Sequence, residues 1–526
     1  MSIIISDLSY HYPNQNNLFE HLSLSVQKNS KCALIGNNGR GKSTLLKLIS
    51  GELKPISGEI NLSSKPFYIP QQIGNNYGKV SNMLGVDKKL ETLNAIKGGS
   101  LSQIHYDIIE DDWDIESRCE MALSYWNLSH LRLDANVDEL SGGERIKVFL
   151  AKLNIFSPKI ILFDEPTNHL DLLSREILYK YINQTKATMI VVSHDIKLLN
   201  QLDTIYEISH NGINLYGGNY SFYEKQKAIE ENAIIEDINH EEKKLKEVKK
   251  KAKEVIQRQE KKQSKEAKAR IEVRILKNTI VNRGEQTQAK LKEKHDKIIN
   301  QNVEKLNQLK QQRELLKKLK FEFEYSKLHK GKLLINAKGI NISFEKDRYL
   351  WFSSLDFELY SGERIHIKGN NGSGKTTLVK IITEQLVPTL GNVENAEFKY
   401  WYLDQEYSLI NVDYTVLEIA QKYNRNNLKD NEVKNHLIKA LFTVQEWSKK
   451  CKVLSGGEKM RLYLSCMIIS NNIPDLIILD EPTNNLDLSS LNILLQAIKN
   501  YKGSLIIISH DLHFIEEIGI TKEYIL

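Results

Sequence analysis

Proline is scarce in this chain, and its distribution says more than its total of nine. None occurs between Pro166 and Pro388, and between Gly218 and Gly331 the sole glycine is Gly284. Proline breaks the helical hydrogen-bond ladder, and an interior glycine costs about 1 kcal/mol relative to alanine. A segment this poor in both permits long helices. Cysteine is scarcer still. Cys32, Cys119, Cys451 and Cys466 are widely spaced and form no CxxC pair, which excludes a disulfide framework and a thiolate metal site. Long apolar runs are missing too. The longest, such as Ile160–Phe163 and Leu505–Ile508, read as buried strands, far short of the ~18–20 residues of a membrane span. Residues Met1–Leu8 lack the basic start and apolar stretch of a signal peptide. The expectation is a cytoplasmic protein with no membrane domain.

What is present is charge, unevenly placed. The 526 residues are 41% hydrophobic and 27% charged, with a net charge of +6. Residues 241–320 alone hold 26 Lys and Arg against 12 Asp and Glu, so the rest of the chain is net acidic. Clustered bases attract phosphate polymers; an even spread does not. At roughly 100–200 residues per domain, the length predicts two to four domains.

The chain also repeats itself. Gly36-Asn37-Asn38-Gly39-Arg40-Gly41-Lys42-Ser43 returns as Gly369-Asn370-Asn371-Gly372-Ser373-Gly374-Lys375-Thr376. Leu140-Ser141-Gly142-Gly143-Glu144 returns as Leu454-Ser455-Gly456-Gly457-Glu458, Asp164-Glu165-Pro166-Thr167-Asn168 as Asp480-Glu481-Pro482-Thr483-Asn484, and Ser193-His194-Asp195 as Ser509-His510-Asp511. The order is the same both times. Two similar domains, 1–220 and 333–526, are therefore expected around a linker, 221–332. The first copy has 19 extra residues between its Gly-rich loop and its LSGGE. They fall within Val80–Glu120 and read as a longer surface loop.

In the linker, apolar residues recur at Ile234, Ile238, Leu245, Val248, Ala252 and Val255, and less cleanly at Ile299, Val303, Leu306 and Leu316, with Arg313 interrupting. This is a coiled-coil-like seam with charged flanks. It predicts two antiparallel helices with a turn over Arg274–Thr287 and a returning helix from Gln288 to Tyr325, about 55 Å long. One continuous helix and a disordered charged linker are the alternatives.

Gly36–Ser43 and Gly369–Thr376 fit GxxxxGK[ST]. Each follows an apolar strand (Cys32–Ile35, Ile365–Lys368), and Thr44–Ile49 begins a helical pattern after the first. Thr377 matches Thr44. The glycines, Gly36, Gly39 and Gly41 and then Gly369, Gly372 and Gly374, let backbone N–H groups curl around phosphate oxygens, together with Asn37 and Asn370. Lys42 and Lys375 supply a cation to the β- and γ-phosphates, and Ser43 and Thr376 offer a hydroxyl to Mg²⁺. Asp164 and Asp480 end apolar strands and are placed to hold the same ion. Glu165 and Glu481 follow, where each can polarise an attacking water. Adjacent acids can also cap a helix, but the phosphate loops argue for chemistry. Ser141, Gly142 and Gly143, and Ser455, Gly456 and Gly457, open helices whose N-termini suit a γ-phosphate. Gln71 and Gln405 end strand-like segments and are candidates for Mg²⁺ and the attacking water. His194 and His510 follow apolar strands and are candidates for the γ-phosphate. Tyr12 and Phe344 precede their loops by 24 and 25 residues; either can stack on adenine or pack in the core.

This order of motifs, with Asp171 and Asp487, resembles the ATP-binding cassette superfamily over about four-fifths of the chain. The resemblance implies an α/β fold of two P-loop cassettes that hydrolyse ATP with Mg²⁺ in a head-to-tail sandwich. ATP on Lys42 would meet Ser455, and ATP on Lys375 would meet Ser141, all within a monomer. Two cassettes in one chain, a long charged helical linker and EPTNHLD at Glu165–Asp171 are similar to the ABC-F class. In that class the linker hairpin enters the ribosome at the tRNA exit site and reaches toward the peptidyl-transferase centre. The expected partner is the 70S ribosome, through 23S rRNA and tRNA in the peptidyl site, with Arg274, Lys277 and Arg283 as contact candidates near the tip. The short insert resembles the antibiotic-resistance branch, which implies ribosome protection of the lincosamide, streptogramin A and pleuromutilin type. A housekeeping translation factor is the alternative. Asn485 stands where the first copy has His169, which departs from the pattern and points to unequal sites.

Three rivals fit less well. The fused energy subunit of an importer needs no charged hairpin. A chromosome-maintenance ATPase carries its coil inside one cassette, not between two. The iron–sulfur ribosome-recycling ATPase needs a cysteine-rich N-terminus.

Overall fold

A computed structural model describes residues 1–13, 17–74, 77–168, 170–209, 212–269, 303, 305–306, 329–345, 348–405, 407–410, 412–425, 427–470, 473–484 and 486–526. The expected turn at Arg274–Thr287, the returning helix, the contact candidates Arg274, Lys277 and Arg283, and the His169/Asn485 pair lie outside the described residues. Residues Met1–Tyr220 and Leu319–Leu526 form one compact unit, and Ser221–Lys318 forms another.

Each cassette is built on a parallel sheet. In the first, strand Pro66–Ile69 is followed across the sheet by Ile160–Asp164, Thr188–Val192, Lys31–Ile35 and Thr204–Ser209, with Gly212–Tyr216 antiparallel at the edge. In the second, the order is Tyr400–Leu403, Leu476–Asp480, Ser504–Ile508, Arg364–Lys368 and Lys522–Ile525. Strands 160–164, 188–192, 476–480 and 504–508 are buried at every position. That is why they read as unbroken runs of Ile, Leu and Val: in a parallel sheet both faces are covered.

A smaller antiparallel sheet faces each parallel one: Phe19–Val26, Ile3–Tyr10 and Ser57–Leu62, and again Leu355–Tyr360, Leu333–Asn341 and Leu390–Asn395. The helix after the first phosphate loop, Lys42–Ser50, lies in the core that both sheets share. Leu45, Leu46, Leu48 and Ile49 are all buried, so this helix is apolar on more than one face. Burying four such side chains stabilises its position by roughly 1.5–3 kcal/mol each before entropy is counted. The loop ahead of it is thus anchored to a rigid element.

The extra residues of the first cassette are not a loop. Between phosphate loop and LSGGE the first copy carries four helices, Val80–Leu84, Asp87–Lys97, Gln103–Ile109 and Ile115–Tyr125, where the second carries Val416–Lys422 and Asp430–Lys439. Leu93 and Ile109 are buried, and Asp112 of the acidic stretch accepts hydrogen bonds from Lys89, at 2.9 Å, and from Arg118. One carboxylate ties the inserted helix to the next one.

In the other unit, helix Tyr220–Ala269 runs for 50 residues, about 75 Å at 1.5 Å per residue. Along it Ile238 is buried, and Ile234, Leu245 and Val248 are half-buried. The seven-residue gap in the apolar seam, between Ile238 and Leu245, contains Glu241, which is also buried. Its Oε1 accepts from Lys244 at 3.0 Å and from Lys305 at 2.9 Å. A polar residue at a seam position fixes register at a cost in stability.

Gly58 and Gly391 occupy matching bulges in the two antiparallel sheets, with φ of 89° and 81°. A Cβ at Gly58 would lie 2.5 Å from the Asp7 carbonyl oxygen. Gly58→Ala should therefore lower the unfolding free energy of the first cassette by about 2–3 kcal/mol, read as a lower denaturant midpoint with an unchanged slope.

Candidate functional site

Three neighbouring parallel strands of the first cassette end side by side. Lys31–Ile35 leads into the phosphate loop, Ile160–Asp164 ends in a carboxylate and Thr188–Val192 leads into His194. In an open parallel sheet this carboxyl edge is where ligands bind. A cleft of about 490 Å³ opens there, lined by Tyr12, Asn38, Gly39, Gly41, Lys42, Ser43, Thr44, Gln71, Asp164, Glu165, Asn168, His194, and by Ser455 and Gly456 of the other cassette.

Lys42 Nζ donates to the carbonyls of Gly36, at 2.6 Å, and Asn37, at 3.3 Å. Burial pulls its pKa down, opposed by Glu165, Asp487 and Asp164. An ammonium satisfied only by loop carbonyls is positioned to exchange them for phosphate oxygens. Lys375 repeats the arrangement, donating to Gly369 and Asn370 at 2.9 Å each. Ser43 Oγ donates to Asp164 Oδ1 at 3.1 Å, and Thr376 Oγ1 to Asp480 Oδ2 at 2.7 Å. Both carboxyls are pushed up by burial. Among the described residues no group of three His, Cys, Asp or Glu is placed to hold a metal. A hydroxyl paired with one carboxylate suits Mg²⁺, which takes few protein ligands and completes its shell from phosphates and water.

Glu165 and Glu481 sit in the left-handed region, with φ of 51° and 49°. For a non-glycine residue this costs about 1–3 kcal/mol. Each is held by its own N–H, which donates at 2.8 Å to the end of the neighbouring strand, to Val192 O and Ile508 O respectively. The turn brings each glutamate to a histidine. Glu165 Oε1 lies 3.1 Å from His194 Nε2, and Glu481 Oε1 lies 3.4 Å from His510 Nε2. Burial raises both glutamates, Glu481 to about 7, and lowers both histidines, His510 to about 4. Each pair is thus most stable uncharged. Glu165 Oε1, His194 Nδ1, both oxygens of Glu481 and both ring nitrogens of His510 are buried without a hydrogen-bond partner among the described residues. Unpaired buried polar atoms are costly, and a polar ligand with an attacking water would satisfy them.

Tyr12 donates to or accepts from Thr44 Oγ1 at 3.0 Å and meets Tyr10 edge-on. Phe344 stands 67% exposed on the short strand Ser343–Glu345, and Gln405 is also exposed. Ser141 and Ser455 each complete a capping box with the glutamate three residues on, opening helices Gly142–Phe156 and Gly456–Ile469. Gly143 and Gly457 follow on these helices.

Several site residues were not read from the sequence. Tyr68 and Tyr402 donate to Asp164 and Asp480 at 3.1 Å each; a tyrosine three residues before the glutamine in both copies was the available signal. Trp351 Nε1 donates to Ser373 O at 2.9 Å and walls the second phosphate loop, where Phe19 walls the first. Asp487 Oδ2 accepts from the Asn38 N–H at 3.0 Å, across the cassettes. Arg175 reaches the second site from the first cassette, donating to His510 O at 3.3 Å.

A profile described as ABC transporter matches residues 19–168 and 352–484. An ABC transporter ATP-binding protein of Bacillus subtilis, YfmM, itself uncharacterized, is 30% identical, covering 99% of this chain and 97% of the relative. The ribosome protection protein VmlR of the same organism is 28% identical over 99% of this chain and 86% of its own. ABC transporter F family member 5 of Arabidopsis thaliana is 29% identical over 95% and 72%. Among solved structures, an RNase-L Inhibitor matches with a TM-score of 0.58 at 20% identity, over 98% of this chain and 86% of that one, a likeness of fold.

A testable consequence comes from Glu481. Its pKa of about 7 in the fold exceeds the ordinary 4.5, so the folded state binds the extra proton between those values. Its contribution to stability is present at low pH and lost as pH rises through about 7. In the nucleotide-free protein, Glu481→Gln should raise the unfolding free energy at pH 8 by about 1–3 kcal/mol. The gain should shrink toward zero as pH falls to 4.5, in denaturant titrations across that range.

Proposed function

The chain belongs to the ATP-binding cassette family, in its ABC-F class, and is an ATP hydrolase; from that premise we propose that it clamps ATP between its two cassettes and uses the clamp to engage the bacterial ribosome at the tRNA exit site. The observation that carries this reading is the cleft at Lys42, walled on its far side by Ser455 and Gly456 of the other cassette. A nucleotide there touches both cassettes, so its binding free energy favours their closed arrangement. Ser43 with Asp164 and Gln71, and Thr376 with Asp480 and Gln405, would hold Mg²⁺. Bound there, the ion would neutralise charge on the β- and γ-phosphates. Lys42 and Lys375 bind the same phosphates, and the Ser141 and Ser455 helix starts offer N–H groups to the γ-phosphate from across the interface. Glu165 and Glu481 take a proton from water, and His194 and His510 orient the reacting groups.

The ribosomal part rests on chemistry and kinship. Lys243, Lys246, Lys249, Lys250 and Lys253 stand exposed along helix Tyr220–Ala269, a surface suited to RNA phosphates. VmlR, similar over nearly the whole chain, is a ribosome protection protein. Among the described residues no helix is long and apolar enough to cross a membrane. In our reading the linker acts near the peptidyl-transferase centre, in the cytoplasm, and protects it from lincosamide, streptogramin A or pleuromutilin antibiotics. The folded insert at 87–109 favours a second reading, a housekeeping translation factor.

The Glu165→Gln/Glu481→Gln protein should hydrolyse ATP about 10²–10⁴-fold more slowly and co-sediment with purified 70S ribosomes only when ATP is present, weakening as salt rises. No binding at low salt would sink the ribosomal reading. If binding holds, drug susceptibility of cells expressing the native chain separates the two roles: unchanged inhibitory concentrations for all three drug classes would favour the housekeeping role.

A further inference from the structure

The two nucleotide sites share their motifs but not their supports. Asp171 and Asp487 match in the repeat, so the residue four positions on is Arg175 in the first cassette and Leu491 in the second. Arg175 is 7% exposed, and its guanidinium has three partners. Nε donates to Leu170 O at 3.1 Å, Nη1 donates to His510 O at 3.3 Å in the second cassette, and Nη1 lies 3.6 Å from Asp195 Oδ2. Asp195 is itself fixed, accepting from Leu198 N at 3.1 Å and from the Tyr179 hydroxyl at 2.5 Å. Tyr179 is one-sided as well, since Leu495 is its counterpart. On the mirrored side Leu491 is 2% exposed and offers no polar atom.

Packing alone does not call for this arginine. Leucine fills the equivalent place in the second cassette, and a buried ion pair is often no more stabilising than well-packed apolar side chains. What arginine adds is a donor that spans two switch segments. One side of it holds the carbonyl of His510, whose ring faces Glu481. The other meets Asp195, next to His194, whose ring faces Glu165.

We propose that Arg175 is a positioning residue for the second nucleotide site: it fixes the His510 segment from across the interface, so that hydrolysis at Lys375 depends on the seating of the first cassette, whereas hydrolysis at Lys42 has no such tether. The sites are then inequivalent by construction, and the first reports to the second through Ser193–Asp195. This rests on the ATPase reading of the two glutamate–histidine pairs.

The test uses full-length protein in which one site is silenced at a time. With Glu165→Gln only the second site can hydrolyse; with Glu481→Gln only the first can. Single-turnover ADP formation is then measured with and without Arg175→Leu, across a range of ATP concentrations. The expected result is a loss of at least about tenfold in maximal rate in the Glu165→Gln background and less than about twofold in the Glu481→Gln background, with half-saturating ATP little changed. Arg175→Lys, which keeps a cation and a donor, should restore most of the rate. Arg175→Leu with Asp195→Asn removes both charges and keeps a helix-capping side chain; it should fold and show the same site-selective loss. Equal losses in both backgrounds, or none at the second site, would overturn the proposal. Hydrolysis persisting in the Glu165→Gln/Glu481→Gln protein would instead sink the glutamate assignment on which it rests.

Discussion

Asp487 accepts a hydrogen bond from the backbone N–H of Asn38, 449 residues earlier, and the rest of the molecule is arranged around that meeting. The same carboxylate caps its own helix, Leu488–Asn500, through Ser490 N at 2.8 Å. Burial opposes its charge, but the Ser490, Asn38 and Ser489 donors outweigh burial and hold its pKa below the usual range. A hydrogen bond to a charged group contributes about 1.5–3 kcal/mol. Here it contributes to two cassettes at once: it fixes the phosphate loop of one and the helix start of the other. Ser455 and Gly456 can line the cleft of Lys42 only because this contact sets the spacing. The sheets, the buried helix after each loop and the paired glutamates supply the chemistry; the contact between cassettes decides whether the chemistry is assembled.

A second constraint is electrostatic. Each site gathers a lysine, two acids and a histidine in a region of low water content. Without a nucleotide the cheapest state is one of reduced charge, with glutamates held up and histidines held down. A polyanion with its cation changes that balance, because it brings charges that those groups can answer. The strain at Glu165 and Glu481 belongs to the same design: left-handed backbone is maintained by strand-end hydrogen bonds so that each carboxylate meets its histidine. Sites of this kind are expected to sacrifice stability for reactivity.

The sequence was most legible where chemistry is local. Phosphate loop, acid pair, LSGGE and histidine each lie on a strand end or helix start, so a short string of residues carries both geometry and role. Doubling the order made the fold class plain. Legibility failed where a partner lies far along the chain. Arg175 reads as an ordinary charge on a helix until His510 is placed beside it, 335 residues away. Trp351 was passed over for Phe344 because distance to the loop is a weaker guide than the antiparallel sheet that delivers Trp351 over Ser373. The insert at 87–109 looked like a loop since its helices are short and polar on most faces; the buried Leu93 and Ile109 and the Asp112 ion pairs show why they fold. Glu241 hid inside a gap in the apolar seam, where a polar residue ordinarily means solvent.

Duplication explains the shared motifs, but it does not explain where the copies differ. Residues that touch phosphates match almost position by position, because geometry around a nucleotide leaves few solutions. Residues that join the cassettes to each other do not match: Arg175 against Leu491, Tyr179 against Leu495, four helices against two. A symmetric clamp would open both sites with equal ease. An asymmetric one can keep one site closed while the other resets, provided some contact tells the sites apart. The Arg175 guanidinium, bonded to the His510 carbonyl on one side and paired with Asp195 on the other, is such a contact. In a protein whose clamp also drives a basic helix toward its target, the order of firing then becomes a structural property rather than an accident of affinity.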